Sequence, residues 1–97
     1  MFNWFNAGPA KEFGERLARF YMERIPKEAS HTDKKFASRS AETLQKMELQ
    51  ARQFRRDHAL NVYKTAQLGS SFKWTLNDAG YDVAYVDELT KWLLTKL

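Results

Sequence analysis

Residues 33–68, DKKFASRSAETLQKMELQARQFRRDHALNVYKTAQL, decide the fold, because this stretch holds neither Gly nor Pro and is rich in Ala, Leu, Lys, Arg, Glu and Gln. Such side chains lose little rotamer freedom in a helix, and none of them interrupts the hydrogen-bond ladder. The run therefore reads as one long central helix over about 33–68. Kept straight, it would span ~54 Å at 1.5 Å per residue, against roughly 32 Å for the diameter of a compact domain of this length. The helix must bend or protrude, and a protruding apolar stripe calls for a partner to cover it.

Projected at 100° per residue, Phe36, Ala37, Leu44, Met47, Ala51, Phe54, His58, Val62 and Ala66 share one sector, the stripe of a core-facing helix. Leu49, Leu60 and Tyr63 cluster on another face, interleaved with Arg56 and Gln67. Arg55 lies at the edge of the apolar stripe, where its stem can cover apolar surface while its head seeks a carboxylate across an interface. Leu49, Arg55, Arg56, Leu60 and Tyr63 are accordingly the expected partner-binding residues. The competing reading is that Leu49 and Leu60 are isolated exposed leucines, which are common.

Around this helix the sequence predicts a small all-α bundle of three to four helices in a single domain, 1–97. Helix 1 should run from about Pro9 to Ile25 along Phe13, Leu17, Phe20 and Tyr21. Pro suits a first helical position, and Pro26 disfavours helical geometry at Ile25. Thr32 or Asp33 can cap the central helix. Gly69-Ser70-Ser71 should stop or kink it, with a serine capping a short helix 3 that ends near Asp78. Gly80 reads as a left-handed residue past a helix end, and Asp82 as the N-cap of helix 4, with Tyr81 and Val86 spaced as a hydrophobic staple. Helix 4 should reach the C-terminus along Val86, Leu89, Leu93 and Leu97.

The net charge of +4 is concentrated in the central stretch, where eight basic residues face four acidic ones. A basic helix can attract nucleic acid or anionic lipid, although an excess this small is also the mark of a solvated face. Glu48 stands four residues before Arg52 and can pair with it, and Arg52, Arg55, Arg56 and Lys64 do not project as one rail. Leu76 to Leu89 has the spacing of a helix-turn-helix, yet its second helix would offer Asp82, Asp87 and Glu88 to phosphates, so it reads as a packing motif only.

Catalysis finds little support. There is no Cys, and with it go disulfides, thiolate nucleophiles and Cys-ligated zinc. His31 and His58 stand far apart with no His-x-x-x-His pair, and a metal site needs three or four ligands at defined geometry, so no metal or other cofactor is expected. His58 is expected in the core or a dimer seam. No Gly-rich phosphate loop or catalytic triad occurs. The aromatic residues Phe2, Trp4 and Phe5 are expected to fold back as a plug on one end of the bundle, and Trp74 and Trp92 to sit in the core. The longest apolar run is Val83-Ala84-Tyr85-Val86, too short for a membrane span or a secretory leader, which makes the cytoplasm the default location. These features predict a non-catalytic protein–protein interaction module, a homodimer or a binder of another protein, with nucleic-acid binding through the basic helix as the alternative.

Overall fold

A computed structural model describes residues 6–29 and 32–97; the expected plug of Phe2, Trp4 and Phe5 lies outside this range, as does His31. Within it the chain is all-α. Helix α1 spans Gly8–Arg24, α2 Lys34–Asp57, α3 Val62–Asp78 and α4 Val83–Leu94.

Local chemistry sets most of these boundaries. Pro9 lies in the first turn of α1, and Ile25, forced into extended geometry before Pro26, ends it. Asp33 caps α2, its side chain accepting from the Lys35 amide at 2.9 Å. After α3, the amide of Gly80 (φ +92°) donates to the Asn77 carbonyl at 3.0 Å, and that of Tyr81 to the Leu76 carbonyl at 3.2 Å. This paired Schellman closure needs a left-handed residue, which Gly supplies without a Cβ penalty. Asp82 then accepts from the Tyr85 amide at 2.9 Å and opens α4.

The single long helix over 33–68 is not what forms. Helix α2 stops at Asp57, and His58 is extended at its end. Asn61, also extended, starts α3 by accepting the Lys64 amide at 2.8 Å. The break lets the chain reverse, so that Leu68, Phe72 and Leu76 of α3 bury against the core rather than project into water. Conversely, Gly69-Ser70-Ser71 stays helical. Gly69 is buried, and a Cβ there would come 3.0 Å from the Leu94 side chain, so the small residue serves α3–α4 packing instead of termination.

Successive helices run antiparallel. Phe54 near the end of α2 meets Phe13 near the start of α1, while Phe36 near the start of α2 meets Tyr85, which bonds Tyr21. Lys73 of α3 pairs with Asp87 of α4 at 3.5 Å, and Gly69 abuts Leu94, so α4 folds back along α3. Helices α1 and α3 approach most closely, at Gly14, where an added Cβ would collide with the Leu68 carbonyl oxygen and sit 3.2 Å from the Phe72 nitrogen. One core joins all four helices, with Leu17, Tyr21, Met47, Phe72, Leu76, Val86 and Leu93 fully enclosed. At its end a tyrosine cluster closes the bundle. The Tyr21 and Tyr85 hydroxyls are 2.5 Å apart, and the Tyr81 hydroxyl donates to the Ile25 carbonyl at 2.5 Å. Trp92 packs against this core as expected, whereas Trp74 is 60% exposed on α3.

Candidate partner-binding surface

The break at 58–61 dissolves the face on which Leu49, Leu60 and Tyr63 were expected to lie together. Leu49 is 60% exposed on the outer side of α2, where Gln45, Lys46, Arg52 and Gln53 surround it one turn away. Leu60 is half-buried in the α2–α3 connection and packs on the core, and Tyr63, 37% exposed, lies in the first turn of α3. Arg55 and Arg56 are exposed in the last turn of α2, and neither has a carboxylate within ion-pairing distance among the described residues. A single leucine ringed by polar groups is an ordinary surface feature. The outer face of α2 is therefore a solvated, charged one.

Helix α3 presents the opposite pattern. Its buried side carries Leu68, Gly69, Phe72 and Leu76. On the other side Tyr63, Ala66, Gln67, Ser70, Trp74 and Asn77 fall within a sector of roughly 100° that holds no charge. Lys73 and Asp78 flank it, and Lys73 is already paired with Asp87. Trp74 dominates this stripe. A large ring left in water is unusual, because burying it removes so much apolar area from solvent. The helical spacing of Tyr63, Ser70 and Trp74 was legible in the sequence, but the assumption that α3 began after Gly69 cut the stripe in two.

Cations are distributed in separated groups. Lys46 pairs with Glu42 at 3.0 Å and Arg52 with Glu48 at 2.6 Å, the latter carboxylate also meeting Lys96 at 3.6 Å. Lys35 and Arg39, with no ion-pair partner among the described residues, stand near one end of α2, and Arg55 and Arg56 at the other, about 24 Å away along the axis at 1.5 Å per residue.

His58 is exposed at the end of α2 and not in the core. Its ring stacks on Phe54 with centroids 4.2 Å apart, Phe54 stacks in turn on Phe13 at 4.3 Å, and its Nδ1 lies 3.3 Å from the Phe54 carbonyl oxygen. The core stripe of α2 ends one turn earlier, because the helix ends. Electrostatics elsewhere follow burial and pairing. Burial raises the Tyr21 phenol strongly, with the Tyr85 hydroxyl bond adding to it, and burial likewise raises Tyr81. Lys91 holds the half-exposed Asp87 carboxyl below the usual range. Among the described residues no three His, Asp or Glu side chains gather as metal ligands, and no helix is long and apolar enough to cross a membrane. No protein-family model, curated protein or solved structure matches this chain.

Proposed function

We propose that this chain is a non-catalytic helical interaction module that pairs with a second copy of itself through the outer face of α3. The observation that carries this reading is the uncharged stripe of Tyr63, Ala66, Ser70 and Trp74 on a surface otherwise crowded with charge. The stripe is also nearly its own mirror along the helix. An antiparallel two-fold pairing centred between Leu68 and Gly69 sets Tyr63 of one copy opposite Trp74 of the other and Gln67 opposite Ser70. That self-complementarity is what an isologous interface requires. The small Ala66 and Ser70 allow close approach at the crossing point, and helices packed at about 50° diverge toward their ends, where the aromatic rings fill the widening gap.

The footprint sets the strength. A 17-residue helix is about 25 Å long and 10–12 Å wide, so each copy contributes an area at the low end of specific interfaces. Association is then weak and reversible. Absence of Cys suits the cytoplasm, which this reading keeps as the location. Nucleic-acid binding fits less well, because the unpaired cations of α2 are split between its two ends and those between them are neutralised.

Sedimentation equilibrium over a wide concentration range tests the proposal. The mass should rise from 11.4 kDa toward twice that value and be little affected by salt, and Trp74→Ser should hold it at the monomer value with helix content unchanged. A strict monomer at every concentration would overturn it. Steeply salt-dependent binding of duplex or single-stranded nucleic acid, lost in Arg55→Glu with Arg56→Glu, would favour the alternative instead.

A further inference from the structure

The geometry points to a second site, a cleft between the end of α1 and the first turns of α2 that binds a small phosphate monoester carried on an aromatic or apolar body. The cleft has a volume of about 240 Å³, and Arg24, Lys35 and Arg39 border it. A hollow of about 310 Å³ bordered by the same three cations lies beside it. Lys35 and Arg39 are four residues apart on one face of α2, a like-charge spacing that disfavours the helix unless an anion offsets it. Arg24 comes from α1 and is held in place. Its Cζ lies 3.7 Å from the Phe20 ring centroid, and its Nη1 donates to the Phe20 carbonyl at 3.5 Å.

Two carboxylates touch these hollows, and both are engaged elsewhere. Asp33 caps α2 by accepting from the Lys35 amide at 2.9 Å, and Glu42 pairs with Lys46 at 3.0 Å. None of Arg24, Lys35 and Arg39 has a carboxylate within ion-pairing distance among the described residues. Two guanidinium forks and an ammonium without counter-charges match the three acceptor oxygens of a phosphate dianion. Ile25, Pro26 and Phe36 supply an apolar wall beside them. The apolar-walled cleft alone is smaller than the ~300–1,000 Å³ of pockets that enclose drug-sized ligands, and it suits the body of a small monoester. This site lies on α1 and α2, and its occupancy is independent of pairing through α3.

An NMR titration of the whole chain decides the matter, with phenyl phosphate as probe and inorganic phosphate and phenol as references. Phenyl phosphate should give saturable shifts at the amides of Arg24, Lys35, Phe36 and Arg39, with an affinity at least about tenfold above either reference, since each supplies only half of the contacts. Lys35→Gln with Arg39→Gln, both exposed, should keep the native spectrum and lose at least about tenfold in affinity. Arg55→Gln with Arg56→Gln should bind as the parent does. Shifts that fail to saturate, shifts centred on Arg52, Arg55 and Arg56, equal affinity for inorganic phosphate, or unchanged affinity in the Lys35/Arg39 variant would each overturn the proposal.

Discussion

Replacing Gly14 by Ala should destabilise this protein even though Ala is the better helix former. In an open helix the exchange gains about 1 kcal/mol. At Gly14, however, the new methyl group would run into the Leu68 carbonyl oxygen and sit 3.2 Å from the Phe72 nitrogen, both main-chain atoms of α3. Backbone cannot rotate aside as a side chain does, so α1 and α3 must separate and loosen the packing of Leu17, Phe72 and Leu76. Overpacking of this kind costs about 1–3 kcal/mol and more where the backbone has to move, which places the net loss near 2 kcal/mol. For a chain of this size that lowers Tm by about 8–16 °C. Gly69→Ala is the matched control. Its methyl group meets only the Leu94 side chain, at 3.0 Å, and Leu94 is 37% exposed and can swing outward. There the propensity gain and the displacement of Leu94 oppose each other, and Tm should stay within a few degrees of the parent. Thermal unfolding followed by circular dichroism at one fixed concentration compares the two. A Gly14→Ala protein as stable as the parent would refute the close approach of α1 and α3.

Asn61→Ala removes the cap that starts α3 and should cost about 1 kcal/mol in denaturant unfolding, with helix content otherwise kept. Tyr85→Phe strips the buried Tyr21 hydroxyl of its 2.5 Å partner and should cost about 1–3 kcal/mol, part of which Tyr21→Phe in the same chain recovers. Alkaline pH should weaken the fold. Tyr21 and Tyr81 have folded-state pKa values raised above 10.0, so the folded chain holds these protons more tightly than the unfolded one. Their contribution is complete below pH 10 and is lost above it, by at most about 1.4 kcal/mol per pH unit for each tyrosine. Tyr21→Phe should reduce that slope, and a Tm independent of pH over this range would contradict the burial of the cluster.

Where a boundary depends on one residue and its immediate neighbours, it could be read from the sequence. Pro26 ends α1, Asp33 and Asp82 cap α2 and α4, and Gly80 closes α3 because each acts through its own backbone or side chain. The break between His58 and Asn61 was hidden, because nothing in His58-Ala59-Leu60 resists helix formation. That segment opens because α3 gains more by turning back to bury Leu68, Phe72 and Leu76 than by continuing α2, a gain visible only with α1 in place. Gly69 misled for the reciprocal reason, since its lack of a side chain serves contact with Leu94. These two misplaced boundaries account for the errors at the surface. With one continuous helix, Leu49, Leu60 and Tyr63 fell on one face and His58 on the core stripe. With two helices, Tyr63 instead joins Trp74 on α3, while His58 becomes an exposed end ring on Phe54.

The chain has no cysteine, so one introduced thiol reports on one face. Ser70 is exposed near the centre of the proposed pairing axis, and two copies crossing there bring its Cα atoms within the roughly 4.4–6.8 Å that a disulfide spans. Leu49, 60% exposed on α2, is the reference position. Under mild oxidation of dilute protein, Ser70→Cys should become a disulfide-linked dimer rapidly and Leu49→Cys only slowly, and adding Trp74→Ser to the former should abolish the difference. Equal rates at both positions, or faster linkage through Leu49→Cys, would contradict pairing through α3.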